Sequence, residues 1–181
     1  MCHNVLQDQT IFQILLRIDA DLAARTQAGR CACGGALHRA DYPRKPRGCL
    51  KAARAAYSSR FSFCCSCCRK RRTAPSVRFL GRRVYLALVV VLMASRLTAR
   101  TPGTQTLCAL IAVPRRTLQR WRSWWVQDFP LTRLWQAEVA CILPSVSRED
   151  LPQSLLVRFA GPPLEALLHG LLLLTPLTTR T

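Results

Sequence analysis

The chain has 181 residues, half of them hydrophobic, and carries 27 Lys and Arg against 9 Asp and Glu, a formal net charge of +18. That length suits one ordinary domain or two small ones, and the apolar half is enough to bury a core, so a globular protein is expected. The charge exceeds what solubility needs and opposes compaction by self-repulsion, which points to a polyanionic partner, nucleic acid first.

Only Lys45, Lys51 and Lys70 are lysines. Arginine contacts phosphate and guanine edges with two parallel hydrogen bonds, which an ammonium cannot copy. A GC-rich coding sequence would give the same bias, so composition supports nucleic-acid binding without establishing it.

The opening segment MCHNVLQDQTIFQ lacks the ordered positive region, apolar core and cleavage site of a secretory signal, so a reducing cytoplasm is the expected compartment. Apolar residues at Ile11, Ile14, Leu15, Ile18 and Leu22 share one face of a 3.6-residue period and predict an amphipathic helix over residues 4–25, ending near TQAGR. From Cys31 to about Pro75 the chain turns to Gly, Pro, Arg and Cys, without helical period and without enough apolar residues for its own core. Such a unit needs a metal or disulfides to hold a shape.

VYLALVVVLMA, residues 84–94, would span on the order of 16 Å as a helix, about half of a hydrocarbon layer. Flanked by Arg82, Arg83 and Arg96, it predicts a buried core helix, with a buried strand as the alternative. LEALLHGLLLLTPLT, from Leu164, is likewise short of a span and predicts a terminal packing helix. These shifts divide the chain into an amphipathic helix (1–28), a Cys-rich basic module (29–75), a helical DNA-binding domain (76–135) and a Pro-punctuated helical extension (136–181). The expected fold is mainly α, with a small irregular zinc-ribbon-like β unit and a helix-turn-helix domain.

Ten cysteines in a reducing compartment are read as metal ligands or inert buried thiols rather than disulfides. CACGG supplies Cys31 and Cys33, and CCSCC supplies two interleaved C-x-x-C pairs, Cys64 with Cys67 and Cys65 with Cys68. Two such turns separated by a loop of about 30 residues match a four-ligand zinc site. The first-choice ligands are Cys31, Cys33, Cys64 and Cys67; Cys65 and Cys68 are alternates, and His38 or Cys49 could replace a sulfur of the short first turn. Gly34 and Gly35 give backbone amides room to point at sulfur, and Arg69, Lys70, Arg71 and Arg72 favour the thiolate form. Cys2, Cys108 and Cys141 are isolated and read as small buried hydrophobes.

TLCALIAVPRRTLQRWRSWWVQDF predicts two helices joined by a tight turn near Val113 and Pro114. Leu118, Trp121 and Trp125 form the apolar stripe of the second helix, while Arg115, Arg116, Gln119, Arg120 and Arg122 fall largely off it. A helix-turn-helix lays the start of its second helix against base edges, where Arg and Gln suit guanine and adenine. A solvated charged face is the bland alternative. The tryptophans are expected to anchor the core, with Trp124 the candidate for base stacking.

CACGGALHRADYPRKPRG, FSFCC, RRTAPSVRFLGRRVYL and VPRRTLQRWRSWW together resemble a family of small bacterial proteins encoded beside transposases in insertion elements. The resemblance covers roughly residues 30–178. It implies a zinc-ribbon-like first half followed by a helix-turn-helix, a DNA-binding accessory or transposase-related role, and a transposase or integrase as partner. On this resemblance the metal ligands are Cys31, Cys33, Cys64 or Cys65, and Cys67 or Cys68, and the DNA contacts are Arg115, Arg116, Gln119 and Arg120. Pro114 stands where a helix-capping serine is expected, and the first cysteine turn is one residue short.

The leading functional expectation is therefore a cytoplasmic, nucleoid-associated protein that binds duplex DNA through Arg115, Arg116, Gln119, Arg120 and Arg122 of its Arg-rich helix and through Arg69, Lys70, Arg71 and Arg72 of a basic module stabilised by one zinc ion. A degenerate or truncated transposase is one alternative. Two-metal strand transfer needs clustered carboxylates, yet the acids after residue 41 are only Asp128, Glu138, Glu149, Asp150 and Glu165, so no catalytic residue is assigned. A basic membrane-surface protein using Leu164 to Leu174 is the other, weakened by the lack of a cationic face. His3, His38 and His169 form no dyad by spacing, and no phosphate loop or H-E-x-x-H is present.

Overall fold

In the computed structural model, residues 2–80, 86–94, 102–139 and 146–179 are described; Cys141, Val84, Tyr85 and the arginines at 82, 83 and 96 lie outside them. The predicted N-terminal helix is present but broken in two, α1 (Cys2–Gln7) and α2 (Gln9–Ala28). Asp8 makes the break: its carboxylate accepts the Thr10 N–H at 2.8 Å and caps α2. α2 ends at Gly29, whose N–H bonds the Arg25 carbonyl at 3.0 Å. Its buried residues are Ile11, Phe12, Leu15, Ala23 and, within the apolar stripe, Asp19.

The Cys-rich stretch forms five short strands, β1 (Leu37–Arg39), β2 (Tyr42–Pro43), β3 (Ser59–Arg60), β4 (Ser62–Cys65) and β5 (Arg71–Thr73). β1, β4 and β5 make an antiparallel sheet in the order β1-β4-β5, and β2 pairs with β3. The module's own core is small: Leu37, Phe63, Cys65 and Ala74, closed by Ala23 of α2. Its other buried apolar residues, Cys49 and Tyr57, join the main core instead. The Tyr57 hydroxyl donates to the Phe12 carbonyl of α2 at 2.8 Å.

The valine-rich run is a helix, α3 (Ala87–Ala94), and all eight of its residues are buried. A helix that is apolar on every side belongs at the centre of a core, and α3 packs against both α1 and α5. The same core also takes residues of α4 (Pro102–Leu110), α5 (Arg115–Ser123), α6 (Arg133–Val139), α7 (Gln153–Leu156) and α8 (Pro163–Leu173). α5 runs on into a π-helical turn, Trp124–Asp128. There Trp124, Trp125 and Phe129 stack edge to face or tilted, with centroids 4.7 to 5.5 Å apart, and Trp135 joins Phe129 at 5.3 Å. Trp121 and Trp125 are buried as expected, and Trp124 also packs on the core. α8 is the terminal packing helix, burying Leu167, Gly170 and Leu171.

The module joins the helical body through residues 74–79, and buried charge holds that join. Asp19 accepts from Ser76 Oγ at 2.6 Å, Val77 N–H at 2.7 Å and Arg78 Nε at 2.7 Å. Arg78 also donates to the Ala56 carbonyl at 3.0 Å. Beside it, the buried Arg60 guanidinium donates to the carbonyls of Ala74 at 3.1 Å and Thr178 at 2.8 Å. Removing one partner of a buried ion pair leaves the other charge uncompensated, at about 3–5 kcal/mol. Asp19→Ala is therefore expected to lower the unfolding free energy by about that amount in urea titration, with a smaller loss for the exposed Asp21→Ala.

Candidate metal centre and the cationic helix

Four sulfurs converge where the two cysteine turns meet. The Sγ atoms of Cys31, Cys33, Cys65 and Cys68 all lie within 4.8 Å of one another, close enough to hold a metal ion. Cys33 and Cys65 are 3.4 Å apart, and Cys31 and Cys68 3.6 Å. Sulfurs bound about 2.3 Å from one tetrahedral ion stand roughly 3.8 Å from each other, so the observed spacing is of the right size. It is far beyond a disulfide bond of about 2.05 Å.

Both turns are built the same way. The residue after the second cysteine takes a left-handed conformation, Gly34 at φ 81° and Arg69 at φ 57°. That step swings the next amide back onto the sulfur: Gly35 N–H points at Cys33 and Lys70 N–H at Cys68. Each turn is then closed from its first cysteine, Cys31 N–H to the Gly35 carbonyl at 3.0 Å and Cys65 N–H to the Lys70 carbonyl at 3.1 Å. The C-x-C turn thus closes with the same bond as the C-x-x-C turn, although it is one residue shorter. Gly35 has a further reason to be glycine, since a Cβ there would lie 2.6 Å from Cys65 Sγ.

Strand parity selects between the interleaved pairs. Cys65 pairs with Leu37 across the sheet and shares its face with Phe63, toward the small core and the first turn. Cys64 pairs with His38 and points to the opposite face, where its thiol contacts the Arg69 carbonyl at 3.5 Å. The structure therefore brings together the alternates Cys65 and Cys68 with Cys31 and Cys33, and not the first choices Cys64 and Cys67. Cys67 is exposed, with its sulfur 3.9 Å from Ser66 Oγ. His38 is exposed on β1 and Cys49 is buried in the main core, both outside the cluster. Cys108 is half-buried.

The thiols do not ionise alike. Cys33 is drawn down to about 6, chiefly by the Gly35 N–H and then by Cys65, Cys68 and Cys31. Cys65 is also lowered, first by the Cys68 N–H. The Lys70 N–H favours the Cys68 thiolate, yet the neighbouring Cys33 and Cys31 sulfurs push that group up to about 12. Four thiolates this close repel one another, and a divalent cation removes the conflict. Burial pushes the Cys49 thiol up to about 11, as befits an inert core residue.

The segment read as two helices and a turn forms two consecutive helices, α4 and α5, joined by residues 111–114. Pro114 is the N-cap of α5 and provides no side-chain bond, while its carbonyl accepts the Thr117 N–H at 2.8 Å. α5 buries Thr117, Leu118 and Trp121 and leaves Arg115, Arg116, Gln119 and Arg120 exposed. Arg122 is different: its guanidinium donates to the carbonyls of Leu151 and Glu149, which commits it inside the protein. Among the module cations, Arg69 and Lys70 are exposed on the second turn. Arg71 and Arg72, also exposed, each spend one nitrogen on a carbonyl, of Ala40 and of Arg30, both at 2.7 Å, and the same Arg71 nitrogen also donates to Ser62 Oγ at 3.3 Å.

No family model, curated protein or solved structure matches the chain. Among the described residues no helix is long and apolar enough to cross a membrane.

Metal retention against a competing chelator is expected to fall in Cys65→Ser and to survive in Cys64→Ser, reversing the sequence-based preference. Gly35→Ala, which crowds Cys65 Sγ without removing a ligand, should weaken metal binding about 10- to 100-fold. In native protein treated with an alkylating reagent and followed by mass spectrometry, Cys49 should be modified more slowly than Cys67.

Proposed function

We propose that the protein is a zinc-stabilised, DNA-binding protein that serves a mobile element as a transposase accessory or regulator, and that it has no catalytic role of its own. Zinc is the ion suited to a closed four-cysteine site with no position left open for substrate. Its place is structural, because the module around it has only a four-residue core of its own. The observation that carries the DNA reading is the division of α5 into two faces. Leu118 and Trp121 fix the helix to the core, while Arg115, Arg116, Gln119 and Arg120 stand exposed at its first two turns. Those are the positions from which a recognition helix reaches base edges and the phosphates beside them. The mobile-element setting and a transposase partner come from the sequence resemblance, and a cytoplasmic, nucleoid-associated location follows from the proposed partner.

The membrane-surface alternative is disfavoured by α8, which spends Leu167 and Leu171 on the protein's own core and carries no Lys or Arg. The transposase alternative finds little support in the acids, since Asp128, Glu138, Glu149, Asp150 and Glu165 are all exposed. Among the described residues, the cysteines are the group placed to hold a metal.

Elemental analysis of protein purified without added metal should return one zinc per chain; iron or no metal would overturn the assignment. Duplex DNA should bind with an affinity that falls steeply with salt, and Arg115→Ser with Arg116→Ser should reduce the log–log slope by about 1.8, two phosphate contacts at roughly 0.9 each. An unchanged slope and affinity in that variant would remove α5 from the interface.

A further inference from the structure

We propose that the cation run leaving the second cysteine turn, Arg69 to Arg72, is a second nucleic-acid contact, blind to base sequence and energetically linked to the metal. This rests on the nucleic-acid reading but not on α5. Between residues 29 and 75 the chain has 12 Lys and Arg against one acid, Asp41. Asp41 is occupied, accepting Arg39 Nε at 2.8 Å and the Ser62 N–H at 3.1 Å. Among the described residues the ion pairs are Arg39 with Asp41 and Arg78 with Asp19, and the solvent-facing run takes part in neither.

What separates this run from an ordinary solvated patch is that the metal turn fixes it. Arg69 holds the left-handed step, at φ 57°, and its carbonyl accepts the Cys64 thiol. Lys70 lends its N–H to Cys68 and its carbonyl to Cys65. Arg71 and Arg72 pair with Cys64 and Phe63 of β4 and so project to opposite faces of the edge strand. Their guanidiniums are held in place, Arg71 by the Ala40 carbonyl and by stacking 5.7 Å over Tyr42, Arg72 by the Arg30 carbonyl next to Cys31. Arg72 spends one of its five N–H donors in this way and Arg71 two, the second on Ser62 Oγ at 3.3 Å, which leaves the rest of each fork for a phosphate.

Four consecutive cations with their backbone or side chains already ordered lose less freedom on meeting phosphate than flexible ones. They contact no fixed pattern of bases, since the short edge strand is not an element sized to fill a major groove. Linkage then requires reciprocity: if holding the metal orders the run for DNA, bound DNA must strengthen metal retention by the same factor.

The test uses the full chain loaded with zinc, a mixed-sequence DNA duplex, and two readouts, the salt slope of binding and the zinc lost to a competing chelator at equilibrium. The variant is Arg69→Asn with Lys70→Gln, because Asn tolerates the left-handed step and both backbones keep their bonds to the turn. The slope should fall by about 1.8, with equal losses on duplexes of unrelated sequence. DNA should also protect zinc in the wild type and in Arg115→Ser with Arg116→Ser, but less in the Arg69, Lys70 variant. If that variant loses zinc on its own, Arg71→Gln, outside the turn, serves for the slope, with an expected fall of about 0.9. A wild-type slope in the variants, or zinc loss indifferent to DNA, overturns the proposal. Failure of the α5 reading would appear separately, as an unchanged slope in the Arg115, Arg116 variant alone. Protection by polyglutamate equal to that by DNA would also overturn it, by showing an acidic-peptide surface.

Discussion

The Asp19 carboxylate sits where water cannot reach it, and three consecutive residues of one segment converge to satisfy it. Its own helix, α2, supplies the anion; the segment after the module supplies a hydroxyl, an amide and a guanidinium. Arg78 then extends the network to the loop at Ala56 and stacks on the rings of Tyr57, Phe61 and Phe79, 5.0 to 5.1 Å from their centroids. An ion pair of this kind is a poor substitute for apolar packing in energy, but it admits one arrangement of its partners. In a chain with only nine acids, this one sets the position of the Cys-rich module on the helical body.

With its position set, the module still needs internal order, and five short strands with a small core cannot give much. The two cysteine turns meet that need by repeating one local device, a left-handed residue after the second sulfur and a closing bond from the first cysteine's amide. The same closing bond forms with one residue between the sulfurs in the first turn and with two in the second. The cations that follow do double duty in this arrangement: they continue the turn's hydrogen bonding through their backbone and present charge through their side chains.

Much of this could be read from the residues. The all-apolar run became a buried helix because nothing polar interrupts residues 86–94, and the helix with Leu118 and Trp121 on one side shows that side to the core. The break at Asp8 was hidden because an amphipathic period continues across it, although Asp before Gln-Thr is a capping signal in itself. The choice between interleaved cysteine pairs was hidden for another reason: adjacent residues on a strand face opposite ways, and only the pairing of Cys65 with Leu37 says which way is inward. Asp19 and the arginines at 60, 78 and 122 were illegible as well. Charge patterning treats every cation as a surface feature, while these ones found carbonyls or a carboxylate tens of residues away.

The clasp between Arg60 and the Thr178 carbonyl joins positions 118 residues apart, and Thr178 Oγ1 accepts the Ser76 amide nearby. Ribosomes deliver a chain from its N-terminal end. During synthesis, then, the guanidinium of Arg60 must wait for 118 further residues before the Thr178 carbonyl emerges. Until that moment the guanidinium keeps its water, and the join between module and helical body cannot reach its native form.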